Sequence, residues 1–175
     1  FQEGIVTSIK ISPNNKFFVS GGINNLYIYD IENNKLIKQF EYKENIITSI
    51  AFSPDGKTFA TSNTDKSVRV FNVENGTLLS NLLQHKDWVK SLVFNNDGSR
   101  LISCGNDSQV VKWDTTNIKD IKIINKLRYG SNWLTSIDFN SDNRTFAFGD
   151  FKGNLEIAGK FGGYIANIGS PINKI

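Results

Sequence analysis

The sequence predicts an all-β chain in which one antiparallel four-stranded unit occurs four times. Three observations predict it: an internal repeat, short apolar runs that alternate with period two, and the lack of any sustained helical period. The aligned units begin IVTSIKISPNNKFF at Ile5, IITSIAFSPDGKTF at Ile46, WVKSLVFNNDGSRL at Trp88 and WLTSIDFNSDNRTF at Trp133. Their serines, Ser8, Ser49, Ser91 and Ser136, are 41, 42 and 45 residues apart. That spacing suits a unit of four short strands.

Each strand has its own justification. The first runs from Ile46 to Ser53, with counterparts at 5–12, 88–95 and 133–140. Strict alternation puts Ile50 and Phe52 on a bulky face and Ile47, Ser49 and Ala51 on a smaller one. A small face lets a neighbouring sheet approach an inner strand. The turns after it, Pro54-Asp55-Gly56, Asn96-Asp97-Gly98, Asn14-Asn15 and Asp142-Asn143, use residues that tolerate positive φ. The second strand is Thr58–Ser62. The third, Ser67–Asn72, ends in an aromatic and a polar residue, as do Tyr29-Asp30 and Trp113-Asp114. Asn33-Asn34 and Asn75-Gly76 then lead to outer strands at Leu36–Phe40 and Leu78–Leu83. Their kin are Ile121–Leu127 and Tyr164–Ile168.

Composition excludes several classes. The 175 residues suffice for one full-sized core, and no run approaches the roughly 18–20 apolar residues of a membrane helix. Net charge is +3, with lysines dispersed and arginines few. That argues against a nucleic-acid stripe or a polybasic membrane segment. Cys104 is the single cysteine, which rules out an internal disulfide and points to a reducing, cytoplasmic setting. Asn75, Asn106 and Asn143 head N-x-[ST] triplets, as chance produces in an Asn-rich chain. With one histidine and one cysteine there is no zinc spacing. Phosphate-cradling glycine loops and calcium loops are also missing from the sequence. No metal or cofactor is expected. A Cys104–His85 nucleophile is weighed and set aside, because small buried residues are ordinary at the end of a strand. Catalytic residues: none.

The third repeat is the most specific. Its QHKDWV entry and KWD ending resemble the WD-repeat β-propeller family, with Gln84 in place of the usual glycine. The resemblance extends over nearly the whole chain. It implies four consecutive blades, about 5–45, 46–87, 88–132 and 133–171, with 172–175 starting a further strand. It also implies a hydrogen-bonded tetrad of Asp107, His85, Ser103 and Trp113, so the lone histidine becomes a staple of its blade. The other repeats depart from the pattern. Repeat two keeps Asp65 and Thr61 but has Lys43 and Phe71 in the His and Trp places. Repeat one has Ile23 where the Asp belongs. Repeat four has Lys152, Gly130 and Ala158-Gly159 for Asp, His and Trp-Asp.

Residues 1–4 resemble the tail of an outer strand, and PINKI at 171–175 resembles the start of a fifth inner strand. The expectation is therefore an incomplete ring, completed by more of the same chain or by another subunit; a ring of four closed alone is the alternative. The resemblance implies a non-catalytic platform that holds a peptide or a subunit of a larger assembly. Its top face would be built by Glu44, Ile46, Lys86, Trp88, Ser131 and Trp133, with Thr64, Asn106 and Phe151 from a second loop. Trp88 and Trp133, in adjacent blades, would form one aromatic shelf. The expected partners are proteins or peptides, with no nucleic acid and no membrane. The alternative role is a sensing or recognition region of a longer signalling protein, whose ATPase, protease or ubiquitin-ligase adaptor part lies elsewhere.

Overall fold

The computed structural model describes residues 4–159 and, as backbone, 164–167. The expected strand at 172–175 lies outside the described residues. The elements are β1 (Val6–Ile11), β2 (Phe17–Asp30), β3 (Lys35–Phe52), β4 (Thr58–Asn63), β5 (Val68–Asn72), β6 (Leu78–Leu82) and β7 (Val89–Phe94). They continue with β8 (Arg100–Gly105), β9 (Gln109–Asp114), β10 (Lys122–Arg128), β11 (Leu134–Phe139), β12 (Phe146–Asp150), β13 (Leu155–Ala158) and β14 (Tyr164–Asn167). All pairings are antiparallel. Strands β7–β10 form one sheet and β11–β14 another, while β1–β6 are joined in a single hydrogen-bonded order. Two corners that the sequence reads as breaks are continuous ladder. β2 turns at Asn24, where φ is 64°, and Ile31 N–H donates to Lys16 O at 2.8 Å, closing β2 on itself. β3 runs from the outer strand of the first unit into the inner strand of the second, and Ile23 pairs with Ile46 across the corner.

The turn after each inner strand is the same device four times. Asn15, Gly56, Gly98 and Asn143 hold φ of 59°, 68°, 71° and 57°. Each donates its N–H three residues back, to Ser12, Ser53, Asn95 and Asn140, at 2.9–3.1 Å. Asn and Gly bear the left-handed backbone at little cost.

Strict alternation along the inner strand does not hold. The register shifts between Ile47 and Ser49, and likewise between Val6 and Ser8, Val89 and Ser91, and Leu134 and Ser136. A bulge inserts one residue, so Ile47 turns to the same face as Ile50. Both are fully buried.

The core lies between sheets. Val19, Leu26 and Ile28 of the first unit pack on Ile47, Ile50, Phe59 and Phe71 of the second. Ala60, Val68 and Val70 meet Val89, Leu92, Leu101 and Trp113. Ile102, Cys104 and Val110 meet Leu134, Ile137, Phe146 and Phe148. Burying each large side chain contributes about 1.5–3 kcal/mol. In the first unit, however, Val6, Ile9 and Ile11 are 48%, 60% and 58% exposed. Their counterparts Ile47 and Ile50, Val89 and Leu92, and Leu134 and Ile137 are buried against the preceding sheet. The four inner strands converge on a cavity of about 400 Å³ lined by Lys10, Ser49, Ser91 and Asp138 among others. This is an open array of propeller blades.

Candidate docking face

The loops entering the inner strands and those joining second to third strands meet in pairs on one face. A single backbone bond recurs in every unit. Ile23 N–H donates to Ile5 O at 3.2 Å, Thr64 to Ile46 at 3.0 Å, Asn106 to Trp88 at 2.9 Å and Phe151 to Trp133 at 2.9 Å. Expected face residues from the two loops therefore stand side by side. The outcome differs by unit. Trp133 and Phe151 are 51% and 71% exposed, with ring centroids 5.6 Å apart. Trp88 is 45% exposed and beside half-buried Asn106. Lys86, Ser131 and Glu44 are exposed. The two tryptophans make no ring contact with each other: Trp133 packs on Phe151, while Trp88 walls a cavity with Ile46, Thr48 and Lys90.

Under this face the third unit is stapled by side chains. Asp107 accepts from His85 Nδ1 at 3.1 Å and from the Lys86 and Gln109 N–H groups at 2.8 and 3.2 Å. His85 Nε2 lies 2.8 Å from Ser103 Oγ, and Trp113 Nε1 donates to the same oxygen at 3.0 Å. Nδ1 faces the Asp107 carboxylate, and Ser103 Oγ accepts from the indole while pairing with Nε2. Serine, histidine and aspartate here have the connectivity of a hydrolytic relay. Yet Ser103 is fully buried, and its oxygen is occupied by Trp113. The chain of bonds locks a loop and is closed to a substrate. Cys104 points to the opposite side of β8, into the apolar interface with the fourth unit. Burial pushes its thiol well above the usual range, which removes the thiolate a nucleophile needs.

The other units solve the same problem with residues that the sequence alone did not reveal. In the second, Asp65 and Thr61 are not joined through a histidine. Asn63 Nδ2 donates to Thr61 Oγ1 at 3.1 Å and to Ser67 O at 3.1 Å, and its Oδ1 accepts from Asn45 at 3.2 Å. Asp65 turns outward to Ser67 and Arg69 instead. In the fourth, Asp150 accepts from Asn132 and from Asn154, each at 2.7 Å. Asn63 and Asp150 occupy the place of Gly105, so the signal was one repeat column in which glycine alternates with an amide or carboxylate. Repeat one needs a different alignment. Its turn is one residue shorter, and Ile23 takes the place of Thr64 while the Asp position is skipped, as the recurring backbone bond shows. Burial opposes the charge of Asp65, Asp107 and Asp150, but their hydrogen bonds win and hold all three carboxyls below the usual range.

The sequence profile of the family described as WD domain, G-beta repeat matches residues 2–30, 34–72 and 76–114. The second and third matches begin before or within an outer strand and end on the third strand of the next sheet, so each sequence repeat ties two sheets together. No curated protein matches the chain. Among solved structures, one titled Structure of U3-55K aligns with a TM-score of 0.82 at 16% identity, covering 94% of this chain and 52% of that one. Another, titled Crystal structure of RRP9 WD40 repeats, aligns with a TM-score of 0.83 at 16% identity, covering 94% and 51%. The chain thus spans about half the length of these structures, and the likeness is one of fold. With three repeats matched over more than half its length and a fourth unit, β11–β14, of the same antiparallel build, the chain belongs to the WD40-repeat family.

Proposed function

We propose that this protein is a non-catalytic docking platform that holds a peptide or a subunit of a larger assembly on the face built by Trp88, Trp133 and Phe151. The single observation that carries this is the Trp133–Phe151 pair. Two large rings project from one loop junction and leave most of their surface to solvent, although the adjoining β11 and β12 have ample apolar core to offer. Exposed aromatic anchors on a rigid base are what interface hot spots are made of. WD40 repeats are generally interaction domains, which supports the reading. Free, buried Cys104 fits a reducing, cytoplasmic setting. The test is capture of partners from a lysate of the source cells by tagged full-length protein, with and without Trp133→Ala plus Phe151→Ala. Loss of the co-purifying proteins at unchanged melting temperature supports the platform. An unchanged set removes this face from the role.

We further infer that the outward face of β1 receives another blade, from more of the same chain or from another subunit. Val6 and Ile9 present there the residues whose counterparts units two to four bury against a preceding sheet.

A further inference from the structure

We propose that the docking face recognises an acidic peptide, through a pocket in which Lys90 meets a carboxylate beside an apolar side chain laid on Trp88. This rests on the docking reading above and names the class of partner. The pocket, about 260 Å³, is lined by Thr7, Ile46, Thr48, Thr64, Trp88 and Lys90. Its hydroxyls are already engaged. Thr7 Oγ1 donates to Ile47 O, Thr48 Oγ1 to Val89 O, and Thr64 Oγ1 accepts from Ile46 N–H. What remains for a ligand is the indole, the Ile46 side chain and one ammonium.

Lys90 is the departure. It occupies the column held by Thr7, Thr48 and Thr135 in the other units. Thr7 and Thr48 tie their inner strand to the carbonyl of the next one. Lys90 has no hydroxyl to do so, and its ammonium pairs with no carboxylate among the described residues. Lys66 and Lys86 are exposed on its loops, where Asp65 is paired with Arg69 and the Asp107 side chain is buried against His85. Glu44 and Asp87 keep their charges on the same loops, so the selective element is the Lys90 ammonium inside the pocket. Complementary charge selects and orients a partner, and an aromatic wall next to an ammonium fits an Asp or Glu adjoining a large apolar residue.

The test pans a phage library of random 12-residue peptides against the full-length protein, wild type and Lys90→Glu. Recovered peptides are then remade and measured by fluorescence polarisation, with a single-stranded oligonucleotide as a second probe. Lys90→Met is included so that a fold defect in the reversed variant is recognised. The expected result is recovery of peptides with Asp or Glu next to an aromatic or aliphatic residue. Their affinity should fall roughly tenfold or more in Lys90→Glu, less in Lys90→Met, and also on replacing the acid by its amide. Neutral or basic peptides that bind both variants equally would overturn the acidic assignment and leave the docking face standing. Recovery of no peptide would overturn both. Oligonucleotide binding that depends on Lys90 while peptides fail would assign the patch to phosphate and overturn the proposal.

Discussion

His85 Nε2 stands 2.8 Å from Ser103 Oγ, a contact between the loop entering β7 and the middle of β8. It fastens the docking loop of the third unit to its own sheet, with Trp113 anchoring the same oxygen from β9. Ser103→Ala leaves a buried imidazole nitrogen and a buried indole N–H without a partner. The expected cost is about 1–3 kcal/mol, read from urea unfolding of the full-length protein. Ser91→Ala, on the half-buried inner strand, is the control and should cost less than about 1 kcal/mol. Equal losses would show that the network adds nothing beyond ordinary packing.

Asp107 gives the acid limb of stability. Burial opposes its charge, but the His85 hydrogen bond, the His85 charge and two backbone N–H groups bring the folded pKa below the unfolded one. Between those two values the unfolded chain binds more protons, so stability rises with pH. The contribution is fully present above about pH 4 and is lost as pH falls through the folded value. Asp107→Asn should flatten the loss of stability below pH 4 in denaturant titrations. A slope unchanged from wild type would mean that other carboxylates carry it.

Gly105 is required by close approach. A Cβ there would come within 2.2 Å of Trp88 O, the oxygen that accepts from Asn106 N–H. Gly105→Ala must therefore push the Trp88 loop away or break that bond. We expect a loss of more than about 2 kcal/mol and a changed Trp fluorescence maximum as Trp88 moves. In the second unit Asn63 fills the same column, so Asn63→Gly should spare the backbone and lose only the amide bonds.

The fold was legible because its signals are local and occur four times. Asn15, Gly56, Gly98 and Asn143 announce their turns through residue type alone. The histidine network was legible because QHKDWV and KWD bring uncommon residues at fixed spacing. The inner-strand bulge was not, since Thr48 reads as one more alternating position until the Ile47–Asn63 pairing exposes it. The Asn45–Asn63 and Asn132–Asp150 staples were hidden for another reason. Their residues are also the commonest loop residues of this chain, so partner choice depends on which neighbour lacks a Cβ. Repeat one misled through a one-residue deletion that sequence spacing spreads over the whole turn.

Lys112 carries the alkaline counterpart. Its Nζ donates to Gly159 O at 3.3 Å and sits 4.4 Å from the centre of the Phe146 ring, bridging the third and fourth units. Burial, helped by the charge of Arg100, lowers its pKa to about 8. A lysine whose folded pKa is depressed penalises the charged folded form, so stability rises as pH climbs from about 8 toward the unfolded value near 10.4. Wild type should melt later at pH 9.5 than at pH 7.5, once general alkaline effects are subtracted by comparison with Lys112→Met. If the two proteins show the same pH slope, the amine is solvated at that junction.

The open face of β1 can be weighed against its buried twin. Ile9 and Ile50 occupy one column of the repeat, yet Ile50 is sealed between sheets and Ile9 lies on the surface of the described residues. If another blade covers β1 in the full-length protein, Ile9→Ser and Ile50→Ser remove equivalent contacts. Both should then cost about 2–4 kcal/mol in urea unfolding, the range for truncating a buried aliphatic side chain. If the face stays free, Ile9→Ser should fall within about 0.5 kcal/mol of wild type, as exposed substitutions do. Hydrogen exchange at the amides of Val6–Ile11 adds no independent weight, because β2 already pairs with that strand. The side-chain comparison is the measurement that decides, and near-equality of the two losses is the outcome we expect.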